Sequence, residues 1–280
     1  MNDLYGLDAY APREIAERVE NVGVAKARLP FLSLAMLGML AGAFIGLGAM
    51  YFTLVTSDAT LGFAAARVLG GVAFSLGLIL VIVAGAELFT GNNLIAMAWA
   101  EGKVSTLEVL RNWVIVCAAN FVGAAGLAVI VFFSGHLGMN GGAVALEAVR
   151  IAAAKAALPG VEAFYLGVLC NILVCMAVWM AFAGRSVIDK AIAILFPISA
   201  FVAAGFEHSI ANMYFFPIAM LQQAYSPLAT PGVELIDTAH MLRNLAFVIA
   251  GNIVGGSVLV ALVYHIVYRR GAAAKPEDRK

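Results

Sequence analysis

An acid and a histidine lie side by side in the middle of a long apolar run, as Glu207–His208 within Gly205–Phe206–Glu207–His208–Ser209–Ile210–Ala211–Asn212. No charged residue occurs from 191 to 204 or from 210 to 221. Apolar runs of this length read as membrane spans. Ionisable groups inside a span are costly and mark function by default. The pattern predicts a broken transmembrane helix lining a pathway, with His208 as its working residue.

The rest of the chain is built the same way. Only 12% of the 280 residues are charged, against 63% hydrophobic. A soluble domain is nearer a quarter charged. Six stretches are long and apolar enough to cross a bilayer, at 32–52, 66–97 with an interruption, 113–133, 163–182, 191–221 with an interruption, and 242–267. The expected class is an all-α membrane protein in the lipid bilayer. The formal net charge of zero gives no electrostatic case for a nucleic-acid partner. Cys117, Cys170 and Cys175 fall inside apolar segments without metal-ligand spacing, so they read as small buried hydrophobes. No metal or cofactor is expected.

The N-terminus carries Asp3, Asp8, Arg13, Glu14, Glu17, Arg18 and Glu20 before any long apolar run, which is not a signal-peptide pattern. Pro12 suits the first turn of a helix. Ile15, Val19 and Val22 then share one face, with charges on the other. Residues 1–30 therefore read as an amphipathic segment, either an interfacial anchor or oligomer contact or a movable plug. Residues 31–268 form a single channel domain, and 269–280 a tail. With six spans, Arg13, Arg18, Lys26, Arg28, Lys103, Arg111, Arg185, Lys190, Arg269, Arg270 and the tail cations share one side. Only Arg67, Arg150, Lys155 and Arg243 fall on the other. Positive residues stay inside, so both termini are expected in the cytoplasm.

The chain also repeats itself. Leu-Arg-Asn occurs at 110–112 and 242–244, and Asn120-Phe-Val-Gly123 matches Asn252-Ile-Val-Gly255 at the same offset of 132. Upstream, Glu87-xxxx-Asn92 matches Glu207-xxxx-Asn212. Each half, 31–133 and 161–268, is thus three spans with a broken middle one. An odd number of spans forces the halves to insert in opposite directions, the inverted-repeat layout with its site at broken helices. The first break is expected as an unwound segment from Gly85 to Asn93, with apolar character resuming at Leu94. Between the repeats, 143–157 suggests a surface helix carrying Glu147, Arg150 and Lys155. Gly38, Gly42 and Gly46 stack on one face of the first span, for internal packing or a subunit contact.

Breaking a helix leaves amide N–H groups and a partial positive dipole at the start of its second half. Two such ends make an anion site without a fixed charge. Glu87 and Glu207 are wrong for an anion path, and are expected off it, supporting the loops with Asn92 and Asn212. His208 can donate a hydrogen bond to a carboxylate or protonate a weak acid, and Thr90 can orient its ring from the opposite break. Asn171 is a lone polar side chain in the fourth span, either an interhelical bond or a path-facing group.

At these residues the chain resembles the formate/nitrite transporter family. The resemblance rests on Ala86–Glu87–Leu88–Phe89–Thr90, on Cys170–Asn171–Ile172–Leu173–Val174–Cys175 with Ala177–Val178–Trp179–Met180, on Gly184–Arg185–Ser186 with Asp189–Lys190, on Gly205 to Met213, and on Gly251–Asn252–Ile253–Val254–Gly255–Gly256. It implies a homopentamer of aquaporin-like protomers in a prokaryotic cytoplasmic (inner) membrane, with one pore each. It implies that His208 is the central pore histidine and Thr90 its partner. It places Phe74, Leu78, Leu88 and Phe201 at hydrophobic constrictions, and Asn171, Val174 and Asn252 along the pathway. The implied substrates are small monovalent anions. Formate is favoured, because the fourth and fifth spans look like that branch. Nitrite or hydrosulfide is the alternative, since Thr90–Gly91 is closer to nitrite-type members.

Two other classes fit less well. An intramembrane enzyme would need more than Glu207 and His208, and neither H-E-x-x-H nor a serine nucleophile elbow is present. An aquaporin-type solute channel would carry Asn-Pro-Ala at its breaks, and it does not.

Overall fold

The computed structural model describes residues 9–226 and 235–270. Asp3, Asp8, Pro227, Pro231, Glu234 and the tail cations Lys275, Arg279 and Lys280 lie outside the described residues. Helix α1 (Pro12–Ala27) precedes α2 (Phe31–Thr56) and α3 (Phe63–Leu80), which a wide π-type turn, Val81–Gly85, prolongs. After a break come the short α4 (Phe89–Asn92), a 3-10 turn (Asn93–Ile95) and α5 (Ala96–Ala100). Then follow α6 (Thr106–Phe133), α7 (Ala143–Ala157), α8 (Gly160–Ala183), α9 (Val187–Ala204) and, after the second break, α10 (Ser209–Tyr225). The last span is α11 (Thr238–Ile253), widened over Val254–Leu262 before α12 (Val263–His265) and a final turn, Ile266–Arg270. Six of these segments are long and apolar enough to cross a membrane, so the chain is a multi-pass membrane protein.

Side-chain caps start the helices where the sequence supplies them. Ser105 accepts from the Glu108 amide while Glu108 accepts from the Ser105 amide, and Ser186 and Asp189 form the same reciprocal pair at α9. Asp237 accepts from the His240 amide to open α11.

Helix α2 packs on α6, and α8 packs on α11. A Cβ on Gly123 would collide with the Met39 carbonyl, and one on Gly255 would collide with the Val168 carbonyl. These are equivalent positions in the two repeats, where helix backbones touch directly. The glycines of α2 point inward too: Gly38 meets Ala119, Gly42 meets Asn120, and Gly46 meets Leu127 and Tyr214. Within the protomer, that stripe is packing surface.

The repeat extends further than three helices per half. The Asn112 amide donates to the Lys26 carbonyl at 3.0 Å, and the Asn244 amide donates to the Lys155 carbonyl at 3.1 Å. Arg111 caps the chain after α1 at Leu29 O, as Arg243 caps the end of α7 at Ala156 O. Helices α1 and α7 are therefore counterparts, each lying over one end of the bundle.

One charge departs from the amphipathic reading of α1. Ile15 and Val19 are buried as expected, but Glu20 is buried with them. It pairs with Lys103 and with Arg269, at 2.8 Å for the latter. Periodicity assigns every charge to the wet face because the sequence does not show which segments return to cover it.

Candidate functional site

The two breaks meet at the centre of the bundle. Each is shorter than glycine content suggests. In the first, only 86–88 is extended; the helix resumes at Phe89, so Thr90, Asn92 and Asn93 are already helical. The Ala86 amide closes the wide turn on Val81 O at 2.9 Å. In the second, Gly205 sits at φ +78° and ends α9. Its left-handed conformation lets the Phe206 amide reach back to Phe201 O at 3.0 Å.

Two asparagines fix the breaks identically. Asn120 Oδ1 accepts the Phe89 amide at 2.9 Å, while its Nδ2 donates to Gly38 O and Glu87 O. Asn252 Oδ1 accepts the Ser209 amide at 3.0 Å, while its Nδ2 donates to Gly167 O and Glu207 O. The first amide of each second half-helix is thus already paired with protein, which narrows the expectation that those amides face an anion.

The acids of the breaks belong to closed rings. Lys155 Nζ donates to Glu207 Oε1 at 2.7 Å, and Asn212 Nδ2 donates to Glu207 Oε2 at 2.6 Å and to Asn244 Oδ1 at 2.8 Å. Lys26, Glu87, Asn92 and Asn112 make the same ring at the other end, with bonds of 2.7, 2.7 and 3.0 Å in the same order. Lys26 also reaches Asn92 Oδ1 at 3.1 Å, whereas its counterpart, Asn212 Oδ1, is buried without a partner. The two lysines were missed in the sequence, although Lys26 and Lys155 precede their repeats' first spans at matching distances.

His208 spans the centre. Its Nδ1 accepts the Ala211 amide at 3.1 Å, capping α10, and its Nε2 lies 3.0 Å from Thr90 Oγ1. With Nδ1 an acceptor, the neutral ring carries its proton on Nε2 and donates it to Thr90. The hydroxyl is then oriented to donate onward. Phe201 stacks on the imidazole, centroids 5.8 Å apart, and Phe74 meets Phe201 edge-on at 5.7 Å.

Cavities approach this centre from both ends. One of about 500 Å³ lies beneath α7 and is floored by Phe74, Phe201 and His208. On the α1 side a small space of about 60 Å³ lies against Leu78 and Leu88, with Val19, Gly23 and Lys26 across it. The two apolar pairs therefore stand on opposite sides of the Thr90–His208 contact. Asn171, Val174 and Asn252 line neither of these two cavities. Asn171 Nδ2 instead bonds Asn93 Oδ1, Asn252 O and Thr90 O at 2.7, 2.7 and 3.2 Å, tying the fourth span to the first break.

A helical bundle of inverted repeats, with paired breaks closing on a polar contact between two vestibules, defines a membrane transport protein of the channel-like kind. Residues 13–266 match the family model for formate/nitrite transporters, and the chain belongs to that family. It is 38% identical over 268 residues to the formate channel FocA of Haemophilus influenzae, covering 91% of this chain and 93% of that one. It is 38% identical to FocA of Escherichia coli K12, covering 94% and 96%. Among solved structures, it resembles a pentameric formate channel with formate bound (TM-score 0.79, 38% identity, 85% and 97% covered). It also resembles an ion channel of the same family (TM-score 0.81, 27% identity, 91% and 98% covered).

Proposed function

We propose that the protein is a channel for small monovalent anions, with formate the favoured substrate and nitrite the alternative. The observation that carries this reading is the 3.0 Å contact of Thr90 Oγ1 with His208 Nε2, set between two apolar pairs. An anion passing Phe74–Phe201 or Leu78–Leu88 sheds water, and the Thr90 hydroxyl, which accepts the imidazole N–H and is left free to donate its own proton, is the donor that replaces it. Binding by neutral donors is weak enough to permit release. Lys26 and Lys155 line the cavities on either side, each paired with the acid of a break, so the acids at the breaks do not stand there as uncompensated negative charges. The lysine and arginine bias supports a cytoplasmic α1 face and an external α7 face in a prokaryotic inner membrane. The likeness to a pentameric formate channel supports a homopentamer of protomers, each with its own path.

The test is uptake of labelled formate and of nitrite into proteoliposomes, with simultaneous current recording, for the native chain and for His208→Asn. Saturable formate flux that the substitution alters supports the reading. Equal flux in the variant would reduce His208 to a loop clamp, and flux of nitrite alone would select the alternative.

A further inference from the structure

The cavity beneath α7 has a group of charges that the central contact does not use. Glu147 and Arg150 project from α7 into its wall, one turn apart, and Arg67 reaches it from α3. Arg67 is fixed in place, donating through Nε to Ala203 O at 2.9 Å and through Nη2 to Val202 O at 2.7 Å. A guanidinium has five N–H donors, and these bonds engage two. Its charge is held beside the carboxyl end of α9, at the edge of the break that carries His208.

The neighbouring titratable and charged groups divide clearly. Lys155 and Glu207 neutralise one another at 2.7 Å. Glu162 of α8 lines the cavity as well, from an exposed position that adds an acid to the wall but no contact to Glu147. From α11, Arg243 is bound to Ala156 O. His136 belongs to a turn packed against α7 and does not line this cavity. His208 has both ring nitrogens engaged. Arg67, Arg150 and Glu147 remain. Burial raises the Glu147 carboxyl above the ordinary carboxylate range, against the pull of the Thr56 hydroxyl, Arg150 and Arg67.

We propose that Arg67, Arg150 and Glu147 form a proton-switched collecting site for small monovalent anions in the α7-side vestibule. Ionised Glu147 cancels one of the two guanidinium charges; when it takes a proton from the bulk, both charges face the cavity and draw in a carboxylate or similar anion. The switch acts on anion capture, before the constriction, and is separate from any chemistry at His208. The proposal rests on the reading that small anions enter from this face.

Two measurements test it. The first is the KM for formate influx against external pH, at fixed internal pH, in proteoliposomes sorted for orientation. The native KM is expected to rise as Glu147 ionises. Glu147→Gln is expected to hold the low KM throughout, about five- to tenfold below the native value at neutral pH. Arg150→Gln, an exposed position, is expected to hold a high KM, and serves if the first variant fails to assemble. The second measurement needs no transport: the infrared band of a protonated carboxyl, assigned by its loss in Glu147→Gln. Its titration midpoint is expected to move to higher pH when formate or nitrite is added. A midpoint shift without flux would sustain the site and sink the channel reading. Native pH dependence in both variants, with no midpoint shift, would overturn the site and leave the channel reading standing.

Discussion

Thr90 and His208 are 118 residues apart in sequence and 3.0 Å apart in space, one from each inverted repeat. Neither repeat can make this contact alone. Because His208 Nδ1 is engaged by the Ala211 amide, the ring has one free direction, and Thr90 occupies it. Thr90→Val keeps the shape and removes the hydroxyl. Its hydrogen bond to an anion is worth about 1.5–3 kcal/mol, so formate flux is expected to fall about 10- to 100-fold. Thr90→Ser keeps the oxygen and is expected to retain most of the flux. Initial rates in proteoliposomes decide, and equal rates for the valine and serine variants would show that the hydroxyl is not used.

The two lysine rings share the same lysine–acid–asparagine bonds but differ in burial. Lys155 and Glu207 are 14% and 4% exposed, Lys26 and Glu87 27% and 8%. Removing one partner of a buried pair leaves an uncompensated charge, at a cost of about 3–5 kcal/mol. Lys155→Met is therefore expected to lower detergent thermal stability more than Lys26→Met. The double change Lys155→Met with Glu207→Gln is expected to recover part of that loss. If the single and double variants melt together, the loss does not come from the stranded carboxylate.

Much of this architecture was legible because it is written twice. Leu-Arg-Asn and Asn-x-Val-Gly recur at one offset, and the structure gives each copy the same bonds: Arg111 and Arg243 on the chain ends after α1 and α7, Asn120 and Asn252 on the breaks. The helix suggested at 143–157 is α7, with the same bounds. Its kinship with α1 was not legible, since the two share little beyond the position of a lysine. Nor was the burial of Glu20, which depends on Lys103 from the loop after α5 and Arg269 from the end of the last span. Asn171 shows the other limit. A lone asparagine in a span either faces a path or knits helices, and only its three acceptors settle what it touches here.

Asn120 and Asn252 each hold an amide and two carbonyls of different segments, so their loss strands several buried groups at once. Asn252→Leu and Asn120→Leu are both expected to destabilise the protomer by about 1–3 kcal/mol. The expected signature is a lower unfolding temperature in detergent with faster amide exchange at residues 206–212 and 86–92 respectively. Exchange unchanged at the matching break would show that the asparagine does not hold it.

Outside the membrane, Asp237 starts the last span. It accepts the His240 amide at 2.9 Å and the His240 ring at 2.7 Å. The amide bond first, then the ring, holds its carboxyl below the ordinary carboxylate range. The sign follows from linkage: a depressed carboxyl adds stability above its unfolded pKa, and loses it as pH falls through the folded one. The first turn of α11 is therefore expected to hold at neutral pH and to fray in acid below the ordinary carboxylate range, seen as faster amide exchange at His240 and Met241. Asp237→Ala is expected to fray at every pH. Asp237→Asn retains a capping oxygen, and is expected to hold the turn without the acid transition. An acid transition of equal size in the asparagine variant would assign it to another group.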